Sequence, residues 1–94
     1  MGNHETKLSD EQLQKLKELL EDQHSWPTSY LFKFIVPVEK LDDVKGLFPG
    51  YDVSLRESKG GKFVALSVIV KATSADVVIA IYQQASEIEG LMSL

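Results

Sequence analysis

Cysteine is absent from the chain altogether. That excludes disulfides, thiol nucleophiles and thiolate zinc sites, and it fits a reducing cytoplasm. Histidine is nearly as scarce: His4 and His24 stand far apart in polar segments, so neither reads as a metal ligand or as the base of a Ser-His-acid relay. No phosphate loop of the GxxxxGKS kind is present, because Gly60-Gly61-Lys62 leads into a strand rather than a helix. No apolar run approaches the roughly 20 residues of a membrane span, and MGNHETKLSD lacks the hydrophobic core of a secretory signal. Positive charge is in deficit, with 10 Lys and Arg against 14 Asp and Glu and a net charge of −4. That balance argues against a nucleic-acid binder working by phosphate neutralisation. With no catalytic group, cofactor fingerprint or metal set in view, the chain reads as non-enzymatic and cofactor-free.

What is present is enough for one small core. The 94 residues are 44% apolar and 26% charged, the composition of an ordinary globular domain. The strongest local signal is residues 51–72, YDVSLRESKGGKFVALSVIVKA, where two strand-like runs flank Lys59-Gly60-Gly61. This predicts a β-hairpin. In its second arm Val64, Leu66, Val68 and Val70 alternate with Phe63, Ala65, Ser67, Ile69 and Lys71. In the first arm Tyr51, Val53 and Leu55 alternate with Asp52, Ser54 and Arg56, the pattern of an edge strand with one buried face.

The remaining elements follow from periodicity and punctuation. Residues 1–7 read as a polar, disordered tail. Ser9 with Gln12 three residues on predicts a capped helix, whose stripe is Leu13, Leu16 and Leu20. Pro27 breaks the chain after it, and Trp26 reads as a plug between this helix and the rest. Residues 30–36, YLFKFIV, predict a strand apolar on both faces, and hence central. Leu41, Val44 and Phe48 predict a helix over residues 38–48, ended by Pro49-Gly50. Its Asp42 and Asp43 diverge by about 100° on a helix, so they read as a solvated face rather than a metal site. Ser74 caps a helix carrying Val78, Ile81, Tyr82, Ala85 and Ile88, with Gly90 as its C′ glycine. Residues 91–94 predict a last short strand.

The order is β-α-β-β-α-β after an extra N-terminal helix. That is the ferredoxin-like split βαβ sandwich of the α+β class, a four-stranded antiparallel sheet with two helices on one face. Residues 1–24 form the tail and amphipathic helix, and residues 25–94 form the ferredoxin-like domain. In the strand order 4-1-3-2 the two most apolar strands are central. Their outward residues Leu31, Ile35, Phe63 and Ile69 then stand on the open side of the sheet, more apolar area than is left in water without a reason. The N-terminal helix, a second copy or a partner must cover it. The candidate interaction surface is Lys33, Arg56, Lys62 and Lys71 as cations, with Phe63 and Ile69 as apolar anchors.

An RNA-recognition module shares this fold, and Lys59, Gly60, Phe63 and Val64 match its third-strand signature. Gly61 and Leu66, however, occupy positions where that signature needs stacking aromatics. A closer likeness lies in FKFIVP (32–37), SLRESKGGKFVALSV (54–68) and ADVVIAIYQQASEIEGL (75–91). Together these resemble the YbeD-like family of small bacterial proteins, over about residues 26–94. The resemblance implies a fold similar to the ACT regulatory domains of amino-acid metabolism, and a proposed link to lipoate metabolism. ACT-type sensing would place a small effector at the loop after the first strand, often beside a glycine. Here that loop is Val36-Pro37-Val38-Glu39-Lys40, without the glycine that lets a ligand approach the backbone. The expected function is therefore regulatory or adaptor work through a protein partner or a homodimer. A metabolite sensor is the alternative, and RNA binding stands behind both.

Overall fold

The computed structural model describes residues 9–58 and 60–93. The expected polar tail, His4, Lys59 of the hairpin turn and Leu94 lie outside the described residues.

Helix α1 spans Asp10–Gln23. Its start is fixed reciprocally: the Gln12 amide N–H donates to Ser9 Oγ at 3.1 Å, and the Ser9 amide N–H donates to Gln12 Oε1 at 2.9 Å. This is the capping box read from the sequence. Strand β1 (Thr28–Pro37) leads through a 3₁₀ turn at Val38–Lys40 into the short helix α2 (Leu41–Lys45). Strands β2 (Ser54–Glu57) and β3 (Phe63–Ala72) form the hairpin. Helix α3 (Ala75–Ala85) and strand β4 (Met92–Ser93) complete the chain.

The result is an α+β fold whose four-stranded sheet runs β2-β3-β1-β4, with antiparallel pairing throughout. It is compatible with the ferredoxin-like arrangement, and the two ten-residue strands β1 and β3 are central as their apolarity requires. One sheet face is the core. Phe32, Phe34, Val36, Val64, Leu66, Val68 and Val70 are buried there against Val44, Phe48 and Val78. The rings interlock, with Phe32 centred 5.6 Å from Phe48 and 5.1 Å from Tyr82. The Tyr30 and Tyr82 hydroxyls lie 3.0 Å apart in one hydrogen bond. Burial and that bond hold the Tyr82 phenol well above its ordinary pKa.

Several elements differ from expectation. The helix expected over 38–48 divides into the 3₁₀ turn and α2, yet Phe48 still reaches the core. It does so because the Leu47 and Phe48 amides bond back to Val44 and Lys45 carbonyls, continuing the turn by i→i−3 bonds. Helix α3 likewise ends at Ala85 and tightens into such bonds at Glu87 and Ile88. Gly90 is therefore not its C′ residue. It closes the following turn at φ +83°, where an added Cβ would sit 2.7 Å from Pro37 Cγ. Strand β2 is shorter than the expected 51–58, and it does not bury one face. Tyr51 and Leu55 are 43% and 45% exposed: Tyr51 precedes the residues paired with β3, 54–57, and Leu55 is paired but lies on the edge strand of the sheet.

The position of α1 settles what it covers. It packs on α3, buries Leu13 and Leu20, and pairs Lys17 Nζ with Asp76 Oδ1 at 3.0 Å. The hydrogen bond and charge of Asp76 raise the Lys17 pKa. Trp26 packs against the same core, as the plug reading expected, and its ring lies 5.6 Å from that of His24. The N-terminal helix therefore thickens the helical layer and leaves the opposite face of the sheet bare.

Candidate interaction surface

Side chains alternate across a strand, and directly paired residues share a face. The register of β1 on β3 sets Leu31 opposite Ile69, Lys33 opposite Ser67, Ile35 opposite Ala65 and Pro37 opposite Phe63. Their neighbours Phe32, Phe34, Leu66 and Val68 are in the core, so this set belongs to the open face. On the flank, Ser54 and Arg56 of β2 lie opposite Ser67 and Ala65. On the other flank Met92 of β4 lies opposite Ile35. The same face thus draws on all four strands.

Its apolar content is not covered. Ile69 is 61% exposed, Met92 53%, Leu31 48% and Phe63 39%. Two adjoining hollows mark the relief. One, of about 480 Å³, lies between Leu31, Ile69 and the Gly50-Tyr51-Asp52 turn. The other, of about 360 Å³, lies between Lys33, Arg56 and Ala65. Ser54 and Ser67 line both, so the two form one trough across the sheet.

Cations stand on the open face, as Lys15, Lys17 and Lys45 also stand among the acids of the helices. Lys33, Arg56 and Lys71 are exposed, and the only acid lining either hollow is Asp52. None of the three cations makes an ion pair with another described residue. The helices carry the acids: Asp10, Glu11, Glu18, Glu21 and Asp22 on α1, Asp42 and Asp43 on α2, and Asp76 on α3.

Of the six expected surface residues, Lys33, Arg56, Phe63, Ile69 and Lys71 share the open face. Lys62 does not. It sits in the turn before β3, where its carbonyl accepts from the Val38 amide at 3.0 Å, so it marks an end of the sheet. Tyr51 is an addition the alternation misplaced on the buried side, since residues 51–53 are irregular and strand parity does not apply to them, whereas Asp52 lines the hollow with Ser54 on the side the alternation gave it. Among the described residues no group of three His, Cys, Asp or Glu could hold a metal, and no helix is long and apolar enough to cross a membrane. The surface offers cations, hydroxyls and apolar contact.

A family model described as "Protein of unknown function (DUF493)" matches residues 21–94. The chain belongs to that family. DUF493 is the family the YbeD-like resemblance pointed to, and its match takes in the whole sheet, α2 and α3. No curated protein matches the chain, and no solved structure does. All six expected surface residues, and every strand of the trough, lie within the DUF493 part.

Proposed function

We propose that this DUF493 chain is a non-enzymatic regulatory or adaptor domain of ferredoxin-like, ACT-like architecture, working in the cytoplasm through protein contacts on its open sheet face. The observation that carries this reading is the bare apolar set Leu31, Phe63, Ile69 and Met92, left uncovered by α1, which packs on α3 instead. Exposed apolar side chains interspersed with polar groups on one face are what interaction sites present. A connection to lipoate metabolism rests on the family resemblance alone.

The metabolite-sensor alternative finds less support. The loop it would use spends the Val38 amide donor on the Lys62 carbonyl, and it has no glycine to admit a ligand. RNA binding is weaker still, because Phe63 is the one aromatic among the exposed side chains of β1 and β3, and stacking needs aromatic platforms.

The test is photo-crosslinking from the open face in extracts of the source cell, with a crosslinker at position 31 or 69. A position on α1 such as Glu18 serves as control. A discrete crosslinked protein from position 31 or 69, lost in Phe63→Glu and absent from the α1 control, is expected. Equal crosslinking from both sides, or none from the sheet, overturns the reading.

A further inference from the structure

We infer that the open face receives an acidic amphipathic helix from a partner protein rather than a second copy of this chain. The inference rests on the adaptor reading and names the chemistry of the partner.

The trough sets the shape. Two shallow hollows joined at Ser54 and Ser67 run across a sheet face, and neither encloses a small molecule. A helix presents apolar side chains about one turn apart, and such a ridge fits a shallow trough. Leu31 and Ile69 form the floor at one end, where apolar side chains of the helix would seat.

Charge sets the sign. Lys33 and Arg56 line the second hollow and Lys71 stands beyond Ile69 on the same face, none of them paired with a described acid. Among the described residues lining the two hollows, only Asp52 opposes them. A helix carrying Asp and Glu beside its apolar stripe would pair with these cations. A basic helix would leave like charges facing one another, which is how interfaces exclude wrong partners.

The same cations disfavour a second copy. A two-fold pairing of open faces is self-complementary only if each patch suits itself. With the axis near the centre of the face, Lys33 of the central strand β1 would lie close to its own equivalent. In a chain of net charge −4, three cations on this face with no described acid paired to them are the feature needing a counterpart.

The test is selection of a phage-displayed library of 16-residue helices against the full chain. The library fixes an apolar stripe and leaves all other positions random in charge. Enriched clones should be net acidic, and should bind about tenfold more weakly to Lys33→Glu/Arg56→Glu, as expected when rim attraction becomes repulsion. Raising salt from about 50 to 500 mM should weaken them too. Circular dichroism of the variant, both of whose substituted positions are exposed, confirms that it folds. Clones that map to the face but are neutral or basic overturn the acidic partner and leave the adaptor reading standing. An absence of clones mapping to the face counts against both. Concentration-dependent dimerisation that Ile69→Glu abolishes assigns the face to a second copy and overturns the inference.

Discussion

The claim that one face of the sheet is bare in the free protein has a direct energetic consequence. Leu66 and Ile69 sit three residues apart on β3 and point to opposite faces. Leu66 is fully buried, whereas Ile69 keeps 61% of its surface in water. Replacing each with Ala imposes a similar loss of strand preference, so the difference between the two variants reports burial. Full burial of an Ile side chain contributes roughly 1.5–3 kcal/mol. The share that Ile69 has buried in the free chain then limits its loss to about 1 kcal/mol. Leu66→Ala opens a cavity in the core opposite Phe34, and such changes cost about 3–5 kcal/mol. The gap of about 2–4 kcal/mol corresponds to some 10–25 °C in Tm for a domain of this size. Thermal unfolding by circular dichroism, at protein concentrations of about ten and several hundred micromolar, measures both. If Ile69→Ala costs as much as Leu66→Ala at low concentration, the face is covered in the free chain and the reasoning fails. A Tm that rises with concentration and is flattened by Ile69→Ala would instead reveal self-association.

Two further outcomes follow from single sites. Gly50 and Gly90 both adopt positive φ, +82° and +83°, but only Gly90 has a neighbour for an added Cβ, at 2.7 Å in the Pro37 ring. Ala at either costs about 1–2 kcal/mol for the left-handed backbone. Gly90→Ala should lose at least about 1 kcal/mol more, because a proline ring cannot swing aside; equal costs in denaturant titration would show that the turn relaxes freely. Tyr82 supplies a pH dependence. Its phenol is raised above the ordinary value near 10 by burial and the Tyr30 hydroxyl, so the folded state holds the proton more tightly than the unfolded chain. The stability it contributes is fully present below about pH 10 and is lost as pH rises above that value. Ultraviolet titration should show one tyrosine ionising only with unfolding, and Tyr82→Phe should remove that late step. A Tyr82 that ionises in the folded chain near the ordinary value would contradict the packing.

Much of the fold was legible because its central elements state their pattern twice. In β3 every even residue from Val64 to Val70 is buried, and the odd ones Phe63 and Ile69 are exposed, so alternation alone assigned both faces. The Ser9–Gln12 cap was legible for the same reason, being local chemistry at fixed spacing. The failures lie where neighbours decide. Tyr51 and Leu55 have the alternation of a buried edge, but the sheet is too narrow there to cover them. Residues after Lys45 and Ala85 keep helical spacing while their backbone tightens into i→i−3 turns, a change that side-chain periodicity does not register. Which layer α1 would join was not encoded in its own leucine stripe, since that stripe fits a sheet or a helix equally. The trough was half legible: its cations were found by parity, while its wall at Tyr51 and Asp52 depends on the Gly50 turn.

Helix α1 lies almost wholly before residue 21, where the family match begins, yet its Leu20 joins the same packed cluster as Phe32 and Val78. The inherited unit and the folding unit therefore have different borders. A chain trimmed to the inherited unit would strip the Leu13 and Leu16 cover and the Asp76 counter-ion from α3. It would then present two adhesive sides instead of one, and a ligand fished out with it could have been caught on the wound. The untrimmed chain keeps Leu13 and Leu20 buried on its helical side, where Leu19 remains exposed, so stickiness measured on it reports the sheet once Leu19 is controlled for.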